Sequence, residues 1–398
     1  MNLLTITTSK VELVMMTVDR IRIIVLILLS LNLNPRAWAD ENGCRNKDYI
    51  FYRCDGIGAH AFYTPQALVL ESGLEATYYR RIDKYPYATG FENVFWSLNH
   101  TDKTIRTYGG YQKFFEDQFL PRENGAFAPN YGWHLWGGGF RARLLEEYFD
   151  SKGVEYSRTL SWLTLYVGHL GNEAAQAEKA DNGSVDALAD LLFFDWVGKL
   201  LFLNDDFARF TAERLHLKDW TYQLSYDPVN HRLVNNGQQY WMRVPITDHF
   251  SLSLLTGNIH NSLVFTLNDQ YDRQLSLGLG IKPEAISWTD DQPQSNSMSY
   301  SIMLAYSEND NPIVTAFFQN GTDAIQMGSG ASIVNDDISG SQKIIVNLYP
   351  KWISVRNELI GITAGSVYGS YFLGFTSTYL PFGLNAHSRS HARFRDDP

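Results

Sequence analysis

The chain of 398 residues has little cysteine, little charge and no excess of basic residues. Its two cysteines, Cys44 and Cys54, are by themselves too few for a metal site. Charged residues make up 19% of the chain, and 43 acidic residues outnumber 33 basic ones, so the net charge is −10. Because nucleic-acid binding needs clustered Lys and Arg, this balance excludes nucleic acid as a predicted partner.

The common catalytic motifs are also missing. There is no Walker-type glycine loop, no G-x-S-x-G elbow and no H-E-x-x-H pair in the sequence. The glycine run at 137–139 lacks the spacing and the preceding strand of a dinucleotide fingerprint. The sequence therefore identifies no reaction, and no cofactor is predicted.

One long apolar run lies near the N-terminus, at Ile23–Leu31. A short basic stretch precedes it and Ala37-Trp38-Ala39 follows, which is the order of a secretory signal peptide over residues 1–39. The run has about half of the ~20 residues that span a bilayer, which favours a cleaved signal over an uncleaved anchor. Residues before Met15 fit this pattern poorly, so translation from Met15 or Met16 is an alternative start. We expect a mature chain that begins near Asp40 and resides in the bacterial cell envelope, in the outer membrane or the periplasm.

Export would give the two cysteines a role. In an oxidising compartment we expect a Cys44–Cys54 disulfide, which would contribute about 2–3 kcal/mol through its short loop. A lipoprotein is disfavoured because Glu41-Asn42-Gly43 places no aliphatic residue three positions before Cys44.

Composition divides the expected mature chain into four parts. Residues 40–130 are rich in Tyr, Gly and Asn and are predicted to form short strands and loops, with a helical turn or two around Tyr111 to Phe119. Residues 131–217 are predicted to be helical, residues 218–380 to form an antiparallel β domain, and residues 381–398 to be a polar tail. The predicted helices are Phe140–Phe149, Arg158–Lys179 and a third helix capped by Ser184, which breaks at Asp205-Asp206 before continuing over Phe207–Leu217.

Apolar residues alternate with small or polar ones through the β domain. Leu275, Leu277 and Leu279, for example, alternate with Ser276 and Gly278. This period of two predicts about seven to nine strands, with a hairpin turn at 308–311.

The apolar face of these strands would point inward in a soluble sandwich and toward lipid in an outer-membrane barrel. Small residues on the opposite face, the signal peptide and the length of Met298–Tyr306, close to the spanning length of about 9–11 residues, favour the barrel. The polar C-terminal tail opposes it, because single-chain barrels usually end in an aromatic strand. The predicted fold class is α+β, with a C-terminal antiparallel β-barrel or barrel-like sheet, an inserted three-helix segment and membrane lipid as partner.

A stripe of polar residues runs through the otherwise apolar helices. His169 and Glu173 are four residues apart and share a helix face, and Gln176 extends that face. Asp190 and Asp195 can face back from the next helix. Buried polar groups need partners, so we expect Glu173 and Asp190 to be largely buried and hydrogen-bonded, with His169, Gln176 or backbone groups near Ser184 among their partners.

Four roles remain open for this stripe: an ordinary helix pair, a metal site, general acid–base catalysis, or a buried network that locks the helix hairpin. Histidine and carboxylates on facing helices are usual metal ligands, but the paired Glu-x-x-His repeats of known bundles are absent, so no metal is predicted.

The series Glu173, Gln176, Ser184, Asp190, Asp195 and Gly198 resembles small VanZ-like membrane proteins and related envelope proteins of unknown function. The upstream His134, at a glycine-rich helix start, is similar to a histidine of the envelope members. The resemblance covers roughly residues 130–200. It departs from the VanZ-like pattern in placing Asp190 and Asp195 five residues apart instead of four, and in lacking an arginine between the helices. It implies architecture more than chemistry.

Two functions are compatible with these observations. The first is a non-catalytic envelope protein, outer-membrane-associated, in which the polar helix hairpin packs on the barrel. The alternative is an enzyme acting on an envelope lipid or glycan, with His169 and Glu173 as acid–base residues and Asp190 orienting His169. His134, Gln176, Ser184 and Asp195 would then form a ligand-binding or structural network.

Overall fold

The computed structural model describes residues 49–54, 56–79, 82, 85, 87–121, 126–177, 183–229, 231–258, 260–289, 292–320, 324–326, 332–334, 342–355, 358–367, 370–377 and 383–388. Helices occupy the first half of the chain and strands the second, so the mixed helix-and-sheet class is confirmed. The predicted signal peptide and Cys44 lie outside the described residues. Cys54 is disulfide-bonded.

The prediction of strands and loops over residues 40–130 is wrong for most of what the structure describes there, which is mainly helical, but the helical turn predicted around Tyr111–Phe119 is confirmed. The first of these helices has a start signal in the sequence: Thr64 accepts a hydrogen bond from the Ala67 N–H, and Pro65 occupies the first helical position. One turn apart, Phe91 and Phe95 stack in the next helix. These helices are α1 (Pro65–Leu74), α2 (Tyr87–Asn99), α3 (Thr101–Tyr108), α4 (Tyr111–Phe119) and the short α5 (Phe127–Pro129), with 3-10 turns at Gly58–Phe62 and Glu75–Tyr79.

The helices predicted over 131–217 are present. Ser184 caps the third as expected, its hydroxyl accepting from the Ala187 N–H at 3.2 Å. The helix is interrupted at Asn204. Asp205 and Asp206 form the first turn of the next helix, where acidic side chains interact favourably with the positive end of the helix dipole. The elements are a π-helical segment (Asn130–Gly137), α6 (Gly138–Ser151), α7 (Ser157–Gln176), α8 (Val185–Ala189), a second π segment (Asp190–Phe194), α9 (Asp195–Leu203) and α10 (Asp205–Glu213).

The second half of the chain forms more strands than the predicted seven to nine. The strands are β1 (Lys218–Asp219), β2 (Ser225–Asp227), β3 (Arg232–Val234), β4 (Gln239–Pro245), β5 (Phe250–Gly257), β6 (Asn261–Asn268), β7 (Arg273–Thr289), β8 (Gln292–Glu308), β9 (Asn311–Asn320), β10 (Ala324–Gln326), β11 (Ser332–Val334), β12 (Gln342–Leu348), β13 (Ser354–Val355), β14 (Glu358–Val367), β15 (Ser370–Ser377) and β16 (Gly383–His387). The predicted hairpin turn is confirmed, with Asn309 and Asp310 both at positive φ. The predicted polar tail is corrected in part, because β16 lies within it and pairs with β15.

Fourteen strands form one sheet in the order β1-β4-β5-β6-β7-β8-β9-β12-β14-β15-β16-β2-β3, with β13 beside β14. Neighbours are antiparallel except for β16 and β2. Its described hydrogen bonds do not close the sheet into a barrel. The five residues 220–224 connect β1, at one end of this order, to β2 near the other end.

The outward face of the sheet is apolar along rows of paired residues. One such row, here called the central outer row, crosses ten strands without a polar side chain: Val244, Leu252, Phe265, Leu277, Leu304, Ala316, Val346, Ala364, Leu373 and Ala386. A parallel row crosses nine strands: Phe250, Leu267, Leu275, Tyr306, Val314, Leu348, Ile362, Phe375 and Leu384. None of these residues is buried, and Leu277 and Leu304 are 43% and 47% exposed.

The inward face is buried and carries both polar rows and an apolar core cluster, whose sheet members include Trp241, Leu255, Val264, Met303, Phe317, Ile345 and Phe372. One inner row consists of Ser251, Thr266, Ser276, Ala305, Thr315, Asn347, Thr363, Gly374 and Asn385. Segment 220–224 packs against this face, where the Gln223 side chain donates to the Leu348 carbonyl at 2.9 Å. Trp220 stacks on Trp241 with ring centroids 4.0 Å apart. The sheet therefore exposes apolar side chains along its outer rows and buries polar side chains together with one apolar cluster.

Candidate functional site

Two π-helical segments pack against each other in the helical half and carry the predicted polar residues. The first contains His134, and the second begins at Asp190 and leads into Asp195. π-Helical turns are rare and are frequent at functional sites. Their presence on both sides of one polar cluster marks this region as the candidate site.

The second π segment explains how Asp190 and Asp195 can act together although they are five residues apart. In a regular α-helix, five residues correspond to a rotation that leaves the two side chains about 140° apart. Here the Asp195 N–H donates to the Asp190 carbonyl, which is the i to i+5 bond of a π turn. The wider turn brings both carboxylates to the same side of the helix, facing His134.

Glycine permits the close approach of these segments. A Cβ atom on Gly198 would overlap the Leu135 carbonyl oxygen, and one on Gly139 would overlap the carbonyl of Gly198. α9 can therefore lie directly against the first π segment and α6, which places Asp195 beside His134. Gly198 belongs to the series that carries the VanZ-like resemblance.

Asp195 is hydrogen-bonded to both histidines of the cluster. Its carboxylate is fully buried and lies 2.7 Å from His169 Nδ1 and 3.1 Å from His134 Nδ1. Burial opposes ionisation, but the charge of His169 and the hydrogen bonds from both rings outweigh it and hold the pKa of Asp195 well below its usual value. An ionised Asp195 accepts from both Nδ1–H groups, and this orientation turns both Nε2 atoms away from it.

His134 Nε2 faces the other two carboxylates. It lies 3.3 Å from Asp190 Oδ2 and 3.8 Å from Glu173 Oε1. Burial opposes protonation of His134, but the charges of Asp190 and Asp195 outweigh it and raise its pKa well above the usual value. The ring thus bridges Asp195 on one side and the Asp190–Glu173 pair on the other.

Glu173 and Asp190 are 0% and 2% exposed, which confirms their predicted burial, but both face His134 instead of the predicted His169, Gln176 or backbone groups near Ser184. Burial, with the negative charge of Asp186 adding to it, raises the pKa of Glu173 to about 8. Burial likewise raises the pKa of Asp190 well above its usual value. Each keeps one carboxylate oxygen, Glu173 Oε2 and Asp190 Oδ1, without a hydrogen-bond partner. Two such buried oxygens are costly in a protein interior.

The structure brings together five of the predicted residues, His134, His169, Glu173, Asp190 and Asp195. Two others lie apart from the contacts of this cluster: Gln176 is exposed on the surface of α7, and Ser184 acts as a helix cap. The predicted orienting role of Asp190 for His169 falls to Asp195 instead, because Asp195 is the carboxylate that contacts His169 Nδ1. The Nε2 atom of His169 is buried and has no hydrogen-bond partner.

Sequence reasoning missed one charged member of this site. Lys199 is 2% exposed and lies four residues after Asp195, on the same helix face. Burial lowers the pKa of Lys199, and the charge of Asp195 opposes that shift. The sequence signal for Lys199 is its i, i+4 spacing from the oppositely charged Asp195. Lys199 provides Asp195 with a nearby cation.

Chemically, His169 and Asp195 have the geometry of a base oriented by a carboxylate. The five cluster side chains are, however, at most 7% exposed. His134, Glu173 and Asp190 place three potential ligand atoms within 4.8 Å of one another, as do His134, His169 and Asp195.

A second buried polar cluster joins the helices to the sheet. Arg141, fully buried on α6, donates to Asp219 Oδ2 at 3.1 Å, to Glu71 Oε2 at 3.2 Å and to the Thr221 hydroxyl at 2.8 Å. One guanidinium thus serves two carboxylates, from α1 and β1. Burial raises the pKa of Glu71 to about 8, and Asp219 adds to this effect while Arg141 opposes it.

This shift predicts a pH dependence of stability. Between about pH 4.5 and 8 the unfolded chain has released the Glu71 proton while the folded chain retains it, so the free energy of unfolding should fall as pH rises through this window. Glu71→Gln should flatten that slope. Urea unfolding at pH 5, 6.5 and 8 measures it, with the exposed-pair variant Glu213→Gln as control. Parallel slopes in the wild type and Glu71→Gln would contradict the prediction.

Among the described residues, no helix combines the length and the apolar composition that crossing a bilayer requires. No protein-family model matches this chain, and it matches neither a curated protein nor a solved structure.

Proposed function

We propose that this chain is a non-catalytic, outer-membrane-associated envelope protein whose sheet faces lipid with its outer surface. The observation that carries this proposal is the polarity of the sheet, which exposes an unbroken apolar row over ten strands and buries Ser, Thr and Asn on the inside. An apolar outer surface over an inner face that carries polar side chains is the arrangement of a transmembrane barrel.

A water-soluble monomer is a poor alternative for such a surface. Exposed apolar patches of soluble monomers rarely exceed a few hundred Å². The outer rows extend this patch across neighbouring strands from β4 to β16, and Leu254, Leu263, Leu279, Ile302, Phe318 and Ile344 add a third row over six of the strands. Lipid would remove the whole surface from water.

Closure of the sheet into a barrel belongs to this proposal, and the course of the chain supports it. The last strand of the order, β3, ends at Val234, and β4, next to the other end, begins at Gln239. Five residue steps reach at most about 18 Å, roughly four strand spacings. Segment 220–224 links the same two ends. Only short chain segments therefore connect the two edges of the sheet, which would have to pair with each other in a closed barrel.

The catalytic alternative is not proposed, because the five cluster side chains are closed off from solvent. A substrate would need access to His169 Nε2 or Glu173. We assign the cluster to the structure of the helical half, in keeping with the predicted network that locks the helix hairpin.

A charge on the outer row tests the proposal. In lipid, Leu277→Arg should destabilise the folded protein by about 2–4 kcal/mol, whereas on a water-exposed surface the same change should alter stability by no more than about 0.5 kcal/mol. The control is Val355→Arg, at the sheet margin, where the side chain is 58% exposed and pairs with Glu358 across the strands.

The measurement is urea unfolding in lipid vesicles, together with heat-modifiable migration on a detergent gel. The wild type should migrate faster unheated than heated and should fractionate with outer membranes. Recovery of the wild type in the soluble fraction after osmotic shock, or equal stability of both arginine variants, would rule the proposal out.

A further inference from the structure

The buried cluster brings three carboxyl groups and two imidazole rings together, with Lys199 as its nearby lysine. Asp195 has Lys199 one turn away and hydrogen bonds from two rings. Glu173 and Asp190 face the single ring nitrogen His134 Nε2, and each retains an unpartnered buried oxygen. A buried carboxylate pair is stable only when protons or a cation neutralise it. A bound cation could take the place of protons on this pair, with Glu173 Oε1 and Asp190 Oδ2 facing His134 Nε2 as its ligand atoms and Oε2 and Oδ1 as unpartnered second oxygens of the same groups.

We propose that His134 Nε2, Glu173 and Asp190 bind a divalent first-row transition-metal ion, which stabilises the helical half of the protein. One imidazole and two carboxylates suit zinc, manganese or ferrous iron. With a doubly charged ion, Glu173 and Asp190 would be neutralised as a pair, and Lys199 would remain to balance Asp195.

The distances between the donor atoms fit such an ion. His134 Nε2 lies 3.3 Å from Asp190 Oδ2 and 3.8 Å from Glu173 Oε1. The three ligand positions lie within 4.8 Å of one another. A point equidistant from three atoms with these separations lies about 2.0–2.4 Å from each, close to the usual zinc–nitrogen and zinc–oxygen distances. The carboxylates would therefore need little movement to bind the ion.

Asp195 supplies the support that a metal-binding histidine requires. It accepts a hydrogen bond from His134 Nδ1 at 3.1 Å, which fixes the ring and leaves Nε2 as the ligand atom. His169 contacts the far side of the same carboxylate at 2.7 Å and holds Asp195 in place. Asp195 and His169 are positioning residues in this arrangement, and the three ligands come from the first π segment, α7 and the second π segment.

Structural and catalytic metal sites differ in whether solvent or substrate can reach the ion. The three ligands are 7%, 0% and 2% exposed for His134, Glu173 and Asp190. Catalytic ions keep an open position for water or substrate, whereas structural ions are enclosed and contribute to folding. The site is therefore assigned a structural role, which goes beyond the proposed membrane function and does not depend on it.

Metal binding is tested on the full chain, stripped with EDTA and dialysed against zinc. We expect about one zinc per chain by mass spectrometry of the metal content, and a melting temperature that falls on EDTA treatment and recovers with zinc. Asp190→Asn and Glu173→Gln, which keep the side-chain shape, should each weaken zinc binding at least 100-fold and abolish the EDTA effect. Asp195→Asn should weaken binding by about 10–100-fold, as expected for a residue that orients a ligand.

Two controls separate this site from non-specific binding. Asp205→Asn removes an exposed carboxylate of α10, 65% exposed and outside the cluster, and should bind zinc as the wild type does. His169→Gln changes a histidine outside the proposed ligand set and should weaken binding less than Asp190→Asn does. Unchanged zinc affinity in Asp190→Asn and Glu173→Gln would overturn the proposal.

If the ligand variants do not fold, a measurement on the wild type alone still tests the metal-site proposal. X-ray absorption of the zinc-loaded protein should give one imidazole with oxygen neighbours at about 2.0–2.1 Å. Two or more imidazoles, a sulfur neighbour, or less than one zinc per ten chains would overturn the proposal. Because this assay works on detergent-solubilised or water-soluble protein alike, its failure is distinguishable from failure of the membrane proposal.

Discussion

Arg141→Met is expected to lower the free energy of unfolding by about 3–5 kcal/mol. Arg141 is fully buried and is hydrogen-bonded to two carboxylates and a hydroxyl on α1, β1 and the segment after it. Methionine fills a similar volume but leaves Asp219 buried without its cation and Glu71 buried without its hydrogen-bond donor. The loss comes from these stranded acids more than from the missing attraction.

A matched arginine isolates this effect. Arg158 also contacts a glutamate, Glu146, at 3.0 Å, but its side chain is 52% exposed. Arg158→Met should therefore change stability by no more than about 1 kcal/mol. Urea unfolding followed by tryptophan fluorescence measures both variants.

Removing the acids together with the arginine tests the explanation. The triple variant Arg141→Met, Glu71→Gln, Asp219→Asn should be more stable than Arg141→Met alone, because no unpaired charge remains buried. If the triple variant is the less stable of the two, the stranded-acid explanation is wrong. If Arg141→Met and Arg158→Met lose the same stability, Arg141 is not the ionic link between helices and sheet.

Gly198→Ala is expected to destabilise the protein by about 3 kcal/mol, although alanine is the better helix former by about 1 kcal/mol. The added methyl group would overlap the Leu135 carbonyl oxygen, and backbone atoms cannot move aside as a flexible side chain can. α9 would have to shift away from the first π segment. The 3.1 Å contact between Asp195 and His134 should lengthen with that shift.

Gly132→Ala is the control, because it changes a glycine in the same π segment where a Cβ meets no atom within 4 Å. It should leave stability unchanged or raise it slightly. Urea unfolding gives the stability difference. Gly198→Ala should also bind zinc more weakly than Gly132→Ala. Equal stability of the two variants would show that the close approach at Gly198 does not hold the site together.

Sequence patterns predicted the elements that depend on local spacing. The 3.6-residue period and the Ser184 cap identified the helices of residues 131–217, and the alternation at Leu275, Leu277 and Leu279 identified strands. The composition of residues 40–130 does not predict their helices, because Tyr, Gly and Asn interrupt the apolar pattern, and the Thr64-Pro65 start signal is local. The strand total was underestimated because short strands such as β1 and β13 are only two residues long.

The sequence alone determined that the helix stripe of Glu173 and Asp190 would be buried, since both have mainly apolar neighbours along the chain. It also determined that the strands would have one apolar face. It could not determine which carboxylate meets which histidine, because that depends on the π turn between Asp190 and Asp195 and on the backbone contact at Gly198. Nor could it determine the direction of the apolar face, since alternation has the same period whichever side points outward. Only the pairing of ten strands, with segment 220–224 against their polar side, decided that the apolar residues lie outside.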